Sequence, residues 1–121
     1  MGTYKVCYFV GSLSSTSINR VLSRALIRLA PQDLEFTELP IGNLPLYSPD
    51  FDSDYPPEPQ ALKAAIAGSE AVLFITPEYN RSIPGALKNA IDWAYKPFIR
   101  KAVGFFGYGS VGGARAVEHL R

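Results

Sequence analysis

The sequence predicts a doubly wound α/β domain, a four-stranded parallel sheet in the order 2-1-3-4 with helices on both faces. Three observations lead there. Short β-rich apolar runs alternate with helical stretches in the order β-α-β-α-β-α-β-α. The runs that would form the first and third strands are apolar almost throughout, as strands buried on both faces are. And 121 residues, 47% apolar and 19% charged, suit one compact domain over residues 1–121 with ordinary globular composition. Disorder and collagen-like repeats are excluded on the same grounds.

Each element follows from its residues. Lys5 to Val10 form a short buried strand ended by Gly11. A hydroxyl-rich loop leads into a helix from about Ser17 to Ala30, whose apolar face is Ile18, Val21, Leu22, Ala25, Leu26 and Leu29 at i, i+3, i+4 spacing. Pro31 closes it. Leu34 to Leu39 alternates, as a strand with one more solvated face does.

Residues 40–59 carry Pro40, Pro45, Pro49, Pro56 and Pro57, with Pro59 at the edge, beside the acids Asp50, Asp52, Asp54 and Glu58. They read as a long surface loop, either a solvated connector or a segment that covers a site. A short helix follows from about Glu58 to Gly68, packed through Leu62, Ala65 and Ile66 and stopped by its glycine.

Ala71 to Thr76 is the most strand-like run in the chain, and Pro77 ends it. Ser82, just before Ile83-Pro84, is the expected N-cap of a helix running to about Tyr95 with Ile83, Leu87, Ala90, Ile91 and Ala94 on one face. Trp93 on this helix is expected in packing or at a subunit contact. Ala102 to Phe106 supplies the last strand, and a Gly-rich turn opens a helix from about Ala114. The chain stops in that helix, where a doubly wound domain usually adds a fifth strand. A fragment or shortened form is the expectation.

Charge and composition narrow the function classes. Twelve Lys+Arg against eleven Asp+Glu leave a formal charge of +1, so no broad field favours nucleic acid. No apolar run reaches the roughly 18 residues that span a bilayer, and no leader-like segment opens the chain. No membrane contact and a soluble, cytoplasmic protein are expected. One cysteine (Cys7, expected as inert core) and one histidine (His119, expected at the surface) make a metal site, an internal disulfide and a Cys-His or Ser-His-Asp hydrolase improbable. Cofactor-borne chemistry is what remains.

Three loops can carry it. The first, Gly11 to Arg20, runs from a strand end to a helix start and places five hydroxyls in the six positions 12–17. Hydroxyls, backbone N–H groups and a helix N-terminus make a cradle for a terminal monophosphate. It is no Walker A loop, because the Gly-Lys-Ser/Thr ending is missing. The plainer alternative is a Ser/Thr-rich turn with a helix cap. The second loop, Thr76 to Gly85, offers amide N–H groups, a carboxamide and an aromatic side chain around a turn fixed by proline. These suit a flat heterocycle with carbonyl and imide edges.

Position joins the two. In an open α/β sheet ligands bind beyond the carboxyl ends of the strands, where the winding direction reverses. In the order 2-1-3-4 that point lies between the first and third strands, and both loops follow those strands. The third loop, Gly107 to Gly112, literally fits G-x-G-x-x-G. It is a decoy as a dinucleotide fingerprint, because the further strand and the acidic ribose ligand about 20 residues on are absent from this sequence. Its place after the fourth strand instead lets it approach the other edge of a ligand at the switch point. Tyr47 is a candidate to rim a pocket.

The segments Gly11-Ser12-Leu13-x-x-x-Ser17-x-Asn19-Arg20, Pro77-Glu78-Tyr79-Asn80-x-Ser82-x-Pro84-Gly85-x-Leu87-Lys88-Asn89-x-Ile91-Asp92-Trp93 and the Tyr108-Gly109 to Gly112-Gly113 turn resemble the NADPH-dependent FMN reductase family, the flavodoxin-like group that includes quinone and chromate reductases. The resemblance covers nearly the whole chain. It implies FMN, with Ser12, Ser14, Ser17, Ile18 and Asn19 around the phosphate, Pro77, Glu78, Tyr79 and Asn80 at the isoalloxazine, and Tyr108, Gly109 and Ser110 against the ring from the last loop. It also implies a homodimer or homotetramer in which a partner subunit helps wall the flavin.

Family members often carry arginine where Ser14 stands, so a weaker hold on the phosphate is expected. The family also usually continues through a fifth strand and helix. The implied reaction needs no catalytic acid or base from the protein: NADPH or NADH gives hydride to the flavin and a quinone or similar small acceptor takes the electrons. Two other readings compete, a flavodoxin-like electron carrier and a flavin-free interaction domain. The near-neutral charge speaks against the carrier, since such proteins use strong acidity to steer their partners.

Overall fold

A computed structural model describes residues 2–121. The elements are β1 (Tyr4–Val10), α1 (Ile18–Leu29), β2 (Leu34–Glu38), α2 (Pro57–Ala67), β3 (Ala71–Pro77), α3 (Gly85–Ala94), β4 (Ala102–Tyr108) and α4 (Ala114–Leu120). The four strands form one sheet in the order β2-β1-β3-β4, every pair parallel. This is the expected doubly wound topology, with β4 running two residues longer than expected.

Parallel pairing follows from the crossovers, since each strand is separated from the next by a helix that must return the chain to the same end. Cys7 lies opposite Val72, and Phe74 opposite both Phe9 and Phe105, so aromatic rings line up across the sheet. Phe9 and Phe74 stack at 5.1 Å, and Phe74 and Phe105 at 6.0 Å. On this face Leu62 and Ile66 of α2 and Leu87, Ala90 and Trp93 of α3 complete the main core. Fully burying a side chain of this size stabilises a fold by about 1.5–3 kcal/mol relative to leaving it exposed.

The opposite face carries Tyr8, Val10 and Ile75 and is covered by α1 through Leu26 and Ile27. Here the structure departs from the expected helix face. The residues of α1 that are buried are Asn19 and Ser23, while Ile18, Val21 and Leu29 are at least half exposed. The polar residues explain the rotation. Ser23 satisfies its hydroxyl on the Arg20 carbonyl at 2.7 Å, Asn19 is buried, and Arg20 is held against Glu38 at the end of β2. The 3.6-residue period locates a helix, but these polar anchors choose which stripe meets the sheet.

One further expectation is corrected and two open alternatives are decided. Ser82 is not the N-cap of α3: Pro84 takes that position, and Ser82 pairs backbone to backbone with Tyr79 (2.9 and 3.0 Å). Of the two roles expected for Trp93, the structure shows packing: it is fully buried in the core. And the 40–59 segment is no solvated connector. Leu39 and Ile41 are buried at its start, and Leu44, Tyr47, Phe51 and Tyr55 pack onto the core. A single turn of 3-10 helix at Pro49–Phe51, capped by Ser48, shapes its middle.

Candidate functional site

The first loop begins at the end of β1, beside β3. Gly11 donates its N–H to the Ile75 carbonyl at 2.8 Å, and a Cβ built on it would stand 3.0 Å from Thr76 Oγ1. A side chain there would press on a fully buried threonine, so glycine lets the loop leave the sheet edge. The loop then folds on its own hydroxyls. Ser12 Oγ accepts from the Ser14 N–H at 3.2 Å, and Ser14 Oγ accepts from the Thr16 N–H at 3.3 Å. Ser17 is the N-cap of α1, as expected, accepting from the Arg20 N–H at 3.4 Å.

Ser12, Ser17 and Asn19 are buried, whereas Ser14 and Ile18 are exposed at the rim. Asn19 Oδ1 is the buried side-chain polar atom that has no hydrogen-bond partner among the described residues. An orphaned buried acceptor is costly, by about 1–3 kcal/mol. A ligand bringing hydroxyl donors would satisfy it, and the same amide turned over offers two N–H donors to phosphate oxygens. The residues therefore fit a phosphate ester of a polyhydroxylated chain, which is what FMN carries. The Ser17 hydroxyl can accept from Arg20 and still donate outward.

The second loop lies beside the first. Pro77 ends β3, and the Tyr79 hydroxyl donates across to Ser12 Oγ at 3.3 Å. Asn80 (φ 49°) and Arg81 (φ 67°) form the tip of a tight turn closed by Tyr79 and Ser82. The Glu78 side chain points away from the first loop, toward the start of α4. In the third loop Tyr108 is opposite Pro77 in register, and Tyr108, Gly109 and Ser110 are exposed. The expected residues thus gather at the carboxyl ends of β1, β3 and β4, with Tyr79 touching Ser12 and Tyr108 level with Pro77.

Two further residues stand at this edge: Arg20, which closes the first-loop motif but carries no expected role, and Glu38, which sequence reasoning missed. Arg20 and Glu38 line, with Ser12, Ser14 and Gly42, a cleft of about 220 Å³ between the first loop and the end of β2. Their side chains form a two-pronged pair at 2.7 and 2.8 Å. No local signal links two residues 18 positions apart; the return of the chain from α1 into β2 beside β1 brings them together. The guanidinium holds the Glu38 carboxyl below the usual carboxylate range and is itself raised by it. Burial, with Glu38 next, pushes the Tyr8 hydroxyl up. Arg20 is therefore a neutralised cation at the cleft rather than a free one.

The pair sets a pH dependence. A carboxyl lowered in the folded state contributes stability above its ordinary value of 4.5, and that contribution is lost as pH falls from there through the lowered value. Both side chains are about a third exposed, so the contribution is about 1 kcal/mol after solvent screening. Urea unfolding at pH 7 should place Glu38→Gln about 1 kcal/mol below the parent. The gap should narrow as pH falls below 4.5 and close through the lowered Glu38 value; a gap unchanged by acid would contradict the assignment.

Ser17→Ala gives a second expected result. The loss of the cap destabilises α1 for any ligand, but with the phosphate seated in the first loop as expected, only a phosphate-bearing flavin loses a donor as well. A hydrogen bond to a charged group contributes about 1.5–3 kcal/mol, so FMN affinity should fall roughly ten- to a hundredfold beyond the loss for riboflavin. Equal losses for the two flavins in fluorescence titrations would refute the placement of phosphate at this loop.

Comparison with known proteins agrees with this fold. The model of the NADPH-dependent FMN reductase family matches residues 4–121. A 2-hydroxy-1,4-benzoquinone reductase of a Burkholderia species is 47% identical over 97% of this chain and 68% of its own length. A quinone reductase of Pseudomonas putida is 49% identical over 82% of this chain and 54% of its own length. The solved structure of FerB, a flavoenzyme NAD(P)H:(acceptor) oxidoreductase from Paracoccus denitrificans, superposes with a TM-score of 0.92 at 43% identity, covering 98% of this chain and 69% of that one. The chain thus spans between about half and just over two thirds of these proteins. Its fold is flavodoxin-like. With a match that takes in all three loops and every strand, the chain belongs to the NADPH-dependent FMN reductase family.

Proposed function

We propose that this chain forms the FMN site of an NAD(P)H-dependent oxidoreductase that reduces quinones or similar small acceptors. The observation that carries the reading is the convergence of the first and second loops, sealed by the Tyr79–Ser12 contact at 3.3 Å, at the point where the winding of the sheet reverses. The names of relatives such as the Burkholderia and P. putida proteins support a quinone as acceptor. FMN, when bound, supplies the hydride chemistry by accepting from the nicotinamide and passing electrons to the acceptor.

The residues of the chain bind and orient. Ser12, Ser17 and Asn19 hold the phosphate end, with Ser14 and Ile18 at its rim. Pro77, Glu78, Tyr79 and Asn80 present the backbone of the second loop to the ring, and Tyr108, Gly109 and Ser110 close the far edge. None of them is required to move a proton. The acceptor side is open: Leu13, Tyr79, Tyr108 and Val111 are between 45% and 62% exposed. That exposure supports a second subunit as the missing wall, in a homodimer or homotetramer, and a sedimentation experiment returning only monomer would count against it. The proposed setting is the cytoplasm, with no nucleic-acid or membrane partner; fractionation that placed the protein elsewhere would oppose it.

The direct test is NADPH and NADH consumption with benzoquinone by the FMN-loaded protein. Turnover well above that of free FMN is expected. A protein that binds FMN yet gives no turnover with either nucleotide would instead favour the electron-carrier reading.

A further inference from the structure

The turn that carries Tyr79, Asn80 and Arg81 is tied to α4 on both sides. Before it, the Glu78 carboxylate accepts from the backbone N–H groups of Arg115 (3.0 Å) and Ala116 (3.3 Å). The Arg115 side chain adds a contact at 3.3 Å, and the Glu78 side chain is only 11% exposed. After it, Ser82 Oγ lies 2.6 Å from His119 Nδ1. A serine hydroxyl donates or accepts, so this contact forms with either tautomer of the imidazole.

Neither partner is well held alone. Asn80 and Arg81 are consecutive side-chain-bearing residues in the left-handed region, a conformation that persists only where its surroundings over-determine it. The N-cap of α4, Gly113, brings no side chain to its first turn. Glu78, just after β3, caps its first turn, and His119 on the same helix reaches back to Ser82. Loop and helix each supply what the other lacks.

We infer that Glu78, Ser82 and His119 are positioning residues that lock the Asn80–Arg81 turn to α4 in the geometry that meets the flavin ring. The inference rests on the FMN reading. It adds that α4 sets how the second loop presents its amides, and hence how tightly oxidised flavin is held relative to reduced flavin. Glu78 serves by its carboxylate toward α4 while its backbone faces the site.

His119 is exposed, so substituting it leaves the core intact. His119→Leu removes the tie, and His119→Asn keeps a polar atom near the place of Nδ1. In flavin-free protein, amide exchange across residues 78–84 should quicken about tenfold in His119→Leu and return to within about threefold of the parent in His119→Asn. Glu78→Gln should quicken both that segment and the first turn of α4. With flavin, His119→Leu should bind FMN and riboflavin about tenfold more weakly alike, because the ring contact and not the phosphate is disturbed. A tenfold difference between the oxidised and reduced losses moves the two-electron potential by about 30 mV, a shift a merely structural residue would not produce.

Unchanged exchange at 78–84 in folded His119→Leu overturns the inference. So does faster exchange with flavin affinity and potential unmoved. Failure of the parent protein to bind FMN would overturn the proposed function and the flavin half of the inference together. It is told apart by the exchange measurement, which needs no flavin.

Discussion

Trp93→Ala is expected to cost about 3–5 kcal/mol, the range for emptying a buried large aromatic site, and urea unfolding followed by circular dichroism measures it. The side chain is fully buried, and three rings from the 40–59 segment close on it: Tyr47 at 5.0 Å, Phe51 at 5.4 Å and Tyr55 at 5.2 Å. Its Nε1–H donates to the Pro45 carbonyl at 2.7 Å. Asn89, one turn earlier on α3, shares that carbonyl at 3.0 Å and accepts from the Tyr47 N–H at 2.9 Å. The proline-rich segment is therefore fastened to α3 largely through one indole. Folded domains are typically stable by only about 5–15 kcal/mol, so this single change removes a large part of the margin. Trp93→Phe keeps most of the ring packing and loses the Pro45 bond, and should cost roughly 1–3 kcal/mol. A loss below about 1 kcal/mol for the alanine variant would mean that the segment is held elsewhere.

Gly113→Val is the other large effect, expected at about 2–4 kcal/mol. Gly113 has φ +69°, and a Cβ on it would stand 2.9 Å from Gly107 Cα and 3.2 Å from Gly107 C. The left-handed conformation alone disfavours a side-chain-bearing residue by about 1–2 kcal/mol, more so for a β-branched one. Overpacking against backbone, which cannot rotate aside, adds about 1–3 kcal/mol. Because Gly113 caps α4 and its neighbour Gly112 lies against Gly107, the third loop and α4 should loosen together, and flavin affinity should drop with stability. Gly85→Ala is the control. Nothing lies within 4 Å of a Cβ there, it falls at the start of α3, and it should be neutral or stabilising by up to about 1 kcal/mol. Equal effects at the two glycines would refute the close-approach argument.

Much of this architecture was legible in the sequence because it rests on local signals. Valine- and phenylalanine-rich runs, Gly11 and Pro77 at strand ends, and Ser17 before an amphipathic stretch each specify their own element, and alternation specifies the parallel sheet. The clustering of Ser12, Ser17, Asn19, Tyr79 and Tyr108 at one edge then follows from topology. What escaped is what depends on choosing between partners far apart in sequence. Ser82 resembles an N-cap, but Pro84 enters the helix first and leaves the serine free for His119. Glu78 reads as a loop acid until α4 arrives with uncapped donors. The apolar stripe of α1 looked like its buried face, yet Asn19 and the Arg20–Glu38 pair turn the helix another way. Prolines in the 40–59 segment signalled a loop correctly and concealed that its aromatic residues belong to the core.

The most direct measurement is a titration of the flavin-free protein with FMN, followed by flavin fluorescence, with riboflavin in parallel. Saturable quenching at one FMN per chain is predicted, with riboflavin bound more weakly by the share of the phosphate cradle. If a protein shown by circular dichroism to be folded leaves FMN fluorescence unchanged, the loops at the ends of β1, β3 and β4 do not make a flavin site in this chain.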